Sequence, residues 1–179
     1  GGSKGREAAT GRGGFYVLRE YLQAQNQYEP EQQLVAIQGF GNVASWFAQE
    51  AVEAGFKVVA ISDSSGGVTT LPQAFDLSAK AEMDTIDSID LSSLDKYKTE
   101  HGSLAGCGNY RVISNQELLT LPVDILVPAA LGEVLTDTNA NEVEAEIILE
   151  LANGPTTRKA DKIFRDNGVT VIPDIVANA

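Results

Sequence analysis

The stretch from Leu34 to Asp63, LVAIQGFGNVASWFAQEAVEAGFKVVAISD, limits what this chain can fold into more than any other. A short apolar run, Leu34 to Ile37, enters a glycine-bearing turn, Gly39-Phe40-Gly41-Asn42-Val43-Ala44. A helical period follows, then a second apolar run, Lys57 to Ile61, and then an acid. The order is strand, glycine turn, helix, strand, carboxylate. Gly39 suits the tight turn, Gly41 a close backbone approach to a pyrophosphate, and Ala44 the packing of helix on strand. The amides and positive end of the helix then face an anion. Asn42 is the expected N-cap, Val43, Phe47, Ala51 and Ala54 the buried face, and Gly55 the C′ residue. Asp63 follows Gly41 by 22 positions (63 − 41), close to the roughly 20 expected of the acid that takes a ribose 2′-hydroxyl. The alternative is a tight strand-to-helix turn with a solvated aspartate.

Composition excludes several functions. Net charge is −12 and the isoelectric point about 4.4, which opposes binding to a phosphate backbone. No apolar run reaches the roughly 20 residues of a membrane span and no signal sequence opens the chain, so neither nucleic acid nor membrane is an expected partner and a cytosolic location is expected. One cysteine, Cys107, excludes an internal disulfide, and with one histidine, His101, there is no zinc constellation. Cys107 reads as an inert loop thiol and His101 as a surface residue. A chain of 179 residues suits one domain, long enough to bury about 70% of its unfolded surface.

Ahead of the first strand, Phe15, Leu18 and Leu22, flanked by Val17 and Tyr21, form a helical stripe, so a helix is expected over about residues 4–25. The small residues Gly5, Ala8, Ala9, Gly11 and Gly14 around Thr10 allow close approach, either of a cofactor ring or of a packed neighbour. Residues 71–109 are the least readable. Helical patches are expected around Leu71 to Met83 and Leu91 to Tyr97, within a mostly solvated, acidic excursion at one edge of the domain.

From Tyr110 strands and helices alternate again. Strands are expected at Tyr110 to Ile113, Asp124 to Val127, Glu146 to Leu149 and Val169 to Ile172, and helices at Asn115 to Leu119, Thr138 to Val143 and Thr156 to Asn167. Continuous rather than alternating apolar strands predict an α/β fold, a doubly wound, mostly parallel sheet of the Rossmann type in a single domain. Ligands in such sheets sit beyond the carboxyl ends of the strands. Those ends carry Pro128-Ala129-Ala130-Leu131, Ala152-Asn153-Gly154-Pro155-Thr156-Thr157 and Pro173-Asp174-Ile175-Val176-Ala177-Asn178. Small residues admit a flat ring and asparagine amides bind a carboxamide or hydroxyl; the other reading of these loops is turn chemistry, with Thr157 capping a helix.

These loops, with Gly2-Ser3-Lys4-Gly5-Arg6, Ala9-Thr10-Gly11-Arg12-Gly13, Gly39-Phe40-Gly41-Asn42-Val43 and Ser62-Asp63-Ser64, resemble the cofactor domain of the glutamate/leucine/phenylalanine/valine dehydrogenases. The blocks span the chain in the family's order, and Gly-Phe-Gly-Asn-Val with Ala-Asn-Gly-Pro-Thr-Thr looks like the glutamate-specific branch. The resemblance implies that Arg6 and Thr10 lie at the nicotinamide side and that Gly39, Phe40, Gly41, Asn42 and Val43 hold the pyrophosphate. It places Asp63 and Ser64 at the adenosine ribose, and Ala129, Asn153 and Asn178 at the ribose and nicotinamide end. Two positions depart from the family: Ala44 replaces the usual third glycine, and Gly132 stands where glutamate is frequent.

The family's catalytic lysine and aspartate and its substrate-carboxylate lysines belong to an N-terminal domain, and the resemblance implies that this chain begins after it. The expected activity of the parent is therefore oxidative deamination of L-glutamate to 2-oxoglutarate and ammonia with hydride transfer to NAD(P). The 179 residues alone would bind dinucleotide without turnover, no catalytic residue being expected among them. The amino-acid substrate would require the missing domain, and the parent is expected to be a homo-oligomer. Asp63 favours NAD, because a carboxylate repels a 2′-phosphate; serines at 62, 64 and 65 keep NADP open. A leucine-, phenylalanine- or valine-type domain and a non-enzymatic dinucleotide sensor are the alternative readings.

Overall fold

The computed structural model of the chain describes residues 2–78 and 80–173. Helix α1 (Gly2–Ala24) leads into β1 (Leu34–Gln38), α2 (Asn42–Glu53) and β2 (Lys57–Asp63). Then come β3 (Gly66–Thr69), α3 (Leu91–His101), β4 (Arg111–Ile113) and α4 (Asn115–Leu119). The chain ends through β5 (Ile125–Pro128), β6 (Ile147–Leu149), α5 (Arg158–Asp166) and β7 (Thr170–Ile172). One sheet runs β4-β3-β2-β1-β5-β6-β7, with β2, β1, β5, β6 and β7 parallel and β3 antiparallel to both its neighbours, β2 and the edge strand β4. Strand order reverses at β1, where β2 lies on one side and β5 on the other, so a crevice opens at their carboxyl ends.

Both faces of the sheet are covered. Val35, Ile37, Val58, Ile61, Ile125 and Val127 pack under α1 and α2; Leu34, Ala36, Val59, Ala60, Leu126 and Ile148 pack against α4 and α5. Burial on both sides is why these strands read as unbroken apolar runs.

Helix α1 contains five glycines, each about 1 kcal/mol worse than alanine in a helix interior. Propensity does not hold it. Packing does: Phe15, Leu18 and Leu22 are buried, each worth about 1.5–3 kcal/mol relative to exposure, and Phe15 meets Phe47 and Phe56 edge-on at 6.3 and 6.0 Å. The glycines have a packing role. A β-carbon at Gly11 would lie 2.5 Å from the carbonyl oxygen of Val43 and 2.7 Å from Cβ of Trp46, and one at Gly14 would strike Leu151. Here the small-residue stripe serves close helix packing, whereas nothing lies within 4 Å of Gly5.

Four expectations need correction. Gly41, not Asn42, is the N-cap of α2, and Asn42 is its first helical residue; the second glycine of the turn takes the extended backbone of the cap, so the helix starts one position earlier than expected. Between 71 and 109 the expected helical patch near Leu71 to Met83 reduces to a 3-10 turn at Lys80–Thr85, while α3 extends to His101 and stops at Gly102, whose φ is +76°. That segment is also less solvated than its charge implies: Leu71, Phe75, Met83, Ile86, Ile89, Leu94 and Leu104 are buried. They are single apolar residues among acids without a regular period, so only the curvature of the backbone aims them inward. Likewise Thr138 to Val143 yields only a 3-10 turn at Ala140–Glu142.

Candidate functional site

The glycine turn lies at the crevice. Gly39 has φ +111° and its amide donates to the carbonyl of Ser62 at 2.9 Å; a β-carbon there would lie 2.8 Å from Cβ of Ala130. Gly39 is thus required by the fold itself. Gly41 differs: its φ is −91° and nothing lies within 4 Å of where its β-carbon would be. It leaves an open lane to the first turn of α2, where Asn42 is exposed and Val43 half-buried. Phe40 is buried in the core, and its carbonyl accepts from the Lys98 ammonium at 2.8 Å.

Asp63 ends β2, held by its own chain. Oδ1 accepts from the Ser65 amide at 2.9 Å and the Ser65 hydroxyl at 2.5 Å, and Oδ2 accepts from the Leu104 amide at 3.0 Å. The Ser65 hydroxyl also meets that of Ser103 at 2.6 Å, tying the β2–β3 turn to the segment after α3. Burial alone would raise the Asp63 pKa. The Ser65 and Leu104 donors and the Lys98 charge outweigh it and hold the carboxyl below its ordinary 3.8. Three of about four acceptor directions are spent, leaving one on Oδ2. Beside it a cavity of about 330 Å³ lies between the ends of β1 and β2, α4 and the loop after β5, lined by Gln38, Asp63, Ser64, Asn115, Gln116, Leu119, Ala130, Leu131 and Val134.

The other loops meet on the same rim. The amides of Leu151 and Ala152 donate to the Pro128 carbonyl at 3.0 and 2.9 Å, Glu133 to Gly154 at 2.9 Å, and Leu135 to Pro155 at 3.0 Å. Ala129 sits at the end of β5 with its amide on the Gln38 carbonyl, its side chain packing towards the core under α1 and α2, while Ala130 faces the cavity. Asn153 is exposed, and a β-carbon at Gly132 would lie 3.0 Å from its carbonyl, which gives the departure at Gly132 a local reason. Thr157 caps α5, accepting from the Ala160 amide at 3.2 Å. Half-buried Thr10 precedes Gly11, which abuts Val43, so α1 passes beside the glycine turn. Asn178 and the side chain of Arg6 lie outside the described residues.

Sequence reasoning missed Lys98, Gln38 and Asn115. Asn115 donates to the Asp63 carbonyl at 2.8 Å, and Lys98 sits in the acidic stretch without a motif. Gln38 did carry a signal: it is the one polar residue closing an apolar strand directly before the turn. Among the described residues no group of three His, Cys, Asp or Glu is placed for a metal, and no helix is long and apolar enough to cross a membrane. Cys107 is buried, and exposed His101 stacks on Tyr97 at 4.0 Å.

Known proteins resemble this chain over most or all of its length. The chain is 43% identical to an NADP-specific glutamate dehydrogenase of Synechocystis and 44% to a glutamate dehydrogenase of Thermotoga maritima, in each case over 100% of its own length and 40% and 39% of theirs. It thus spans about 40% of the length of these curated relatives. Among solved structures it matches hetero-hexameric glutamate dehydrogenase from Thermus thermophilus with a TM-score of 0.79 at 26% identity, covering 96% of this chain and 36% of that one. Glutamate dehydrogenase from Peptoniphilus asaccharolyticus follows at 0.71 and 29%, covering 99% and 37%. The model of the glutamate/leucine/phenylalanine/valine dehydrogenases matches residues 1–179, and the chain belongs to that family.

Proposed function

We propose that this chain is the dinucleotide-binding domain of a glutamate dehydrogenase. What supports the reading most is one juxtaposition: the open space at Gly41, before the first turn of α2, and the cavity beside Asp63 lie at the carboxyl ends of the neighbouring parallel strands β1 and β2. The pyrophosphate lies along Gly39 to Val43, where helix amides and the α2 dipole favour an anion. Asp63 and Ser64 take the adenosine ribose. Thr10 on α1, with Ala129 and Asn153, borders the nicotinamide end, to which the family resemblance assigns Arg6 and Asn178 as well. The nicotinamide, when bound, accepts or supplies the hydride. The residues of this chain bind and orient the cofactor and exclude water from its ring.

The substrate glutamate, the catalytic lysine and aspartate, and assembly into oligomers belong to segments beyond these residues. NADP is the favoured cofactor, a revision of the preference for NAD that Asp63 alone gives. Relatives from Synechocystis and from Halobacterium salinarum are named NADP-specific. Within this chain Lys98 supports the same choice, because its charge acts on Asp63 and supplies a cation for a 2′-phosphate beside the carboxylate. Calorimetric titration of the 179-residue chain with NADP and NAD tests this: saturable binding, tighter for NADP, is expected, and absence of binding by either nucleotide would refute it.

A further inference from the structure

We infer that Ser103 is a positioning residue for Asp63, and that by holding the carboxylate it tilts the cofactor preference towards NADP. This rests on the dinucleotide reading and concerns what sets its selectivity. Helix α3 stops at Gly102, whose left-handed backbone turns the chain so that the next two residues meet the end of β2. There the Ser103 hydroxyl lies 2.6 Å from that of Ser65, and the Leu104 amide donates to Oδ2 of Asp63 at 3.0 Å. Two successive residues therefore hold both carboxylate oxygens, Leu104 directly and Ser103 through Ser65.

Chemistry fixes the sense of each bond. Burial would raise the Asp63 pKa, but the Ser65 and Leu104 donors and the Lys98 charge hold it low, so at neutral pH the carboxylate is ionised and can only accept. The Ser65 hydroxyl therefore gives its single proton to Oδ1, at 2.5 Å, and in its contact with Ser103 it is the acceptor. The Ser103 oxygen accepts in turn from the Ala105 amide at 3.0 Å. All three bonds run one way, from Ala105 through Ser103 and Ser65 to Asp63, and bonds in such a series polarise one another. With the Ser65 amide also on Oδ1, one acceptor direction remains on the carboxylate, on Oδ2. It serves one hydroxyl of an unphosphorylated ribose but not two. A 2′-phosphate brings no donor at neutral pH beyond a fractional proton, and it is repelled less by a carboxylate whose charge three donors share. Without Ser103 the Ser65 hydroxyl is free to turn to solvent, and Oδ1 becomes open to a second ribose hydroxyl.

The test titrates the 179-residue chain with NADP and with NAD, in wild type, Ser103→Ala and Ser103→Thr, follows the Asp63 carboxyl by carbon-13 NMR as pH is lowered, and records thermal unfolding of each protein. Ser103→Ala is expected to shift the NADP-to-NAD affinity ratio towards NAD by roughly three- to tenfold, the worth of one hydrogen bond, and to move the Asp63 titration to higher pH. Ser103→Thr keeps the hydroxyl and holds the ratio and the titration at their wild-type values. A purely structural role for Ser103 would instead lower the unfolding midpoint and weaken both nucleotides alike. A Ser103→Ala ratio within about twofold of wild type, or shifted towards NADP, overturns the inference whether or not the titration moves, and leaves the dinucleotide reading standing. So does a Ser103→Thr protein that behaves as Ser103→Ala. If wild type binds neither nucleotide, the dinucleotide reading falls and takes this inference with it.

Discussion

The backbone amide of Leu104 donates to Oδ2 of Asp63 at 3.0 Å across 41 residues of sequence, so the carboxylate at the end of β2 also anchors the segment that follows α3. Replacing Asp63 with alanine leaves a buried amide without a partner and should lower stability by about 1–3 kcal/mol, measured by chemical denaturation. The sign of the pH dependence follows from the lowered folded-state pKa. The Asp63 contribution is fully present above the unfolded value near 3.8 and is lost as pH falls through the lower folded value. The stability difference between wild type and Asp63→Ala should therefore be constant from neutral pH to about pH 5 and shrink only in stronger acid; a difference that shrinks already between pH 7 and 5 would contradict the anchor.

Two glycines of the turn separate fold from binding. Gly39→Ala forces a left-handed backbone on a residue with a side chain and drives it into Ala130, so a lower unfolding midpoint is expected. Gly41→Ala meets nothing within 4 Å and should change stability by less than about 1 kcal/mol while weakening dinucleotide binding by roughly tenfold or more. Undiminished affinity in a folded Gly41→Ala protein would remove the lane from the binding path.

Helix α1 offers a similar contrast. Gly11→Ala places a methyl group 2.5 Å from the Val43 carbonyl and should destabilise by about 1–3 kcal/mol. Gly5→Ala has open space and helical backbone, and should stabilise by about 0.5–1 kcal/mol. Thermal unfolding of the two variants side by side checks whether α1 is held by contact with α2 rather than by its own propensity.

Lys98 bridges the glycine turn and Asp63 by charge. Lys98→Met keeps the aliphatic stem over Phe40 and removes the cation, so affinity for NADP should fall by about tenfold or more and affinity for NAD by less. Equal losses for the two nucleotides, measured by titration at fixed ionic strength, would place Lys98 away from the 2′-phosphate.

The run from Leu34 to Asp63 determined the strand, the turn, the helix and the acid from sequence alone, because each is a local consequence of period, glycine and spacing. The apolar runs at Ile125, Ile147 and Thr170 likewise declared a parallel sheet, since burial on both faces leaves no alternation to obscure them. Tertiary structure alone decided the rest. The antiparallel edge of β3 and β4, the buried residues scattered through 71–109, and the meeting of Lys98 and Leu104 with Asp63 arise from chain paths that no short window encodes. The use of Gly11 was equally hidden, because a glycine that admits a neighbouring helix and one that admits a ligand are the same residue until the neighbour is seen. Gln38 lies between the two cases: its place in the strand was legible, but that its amide is buried without a partner beside a cavity depends on which strands and loops close around it.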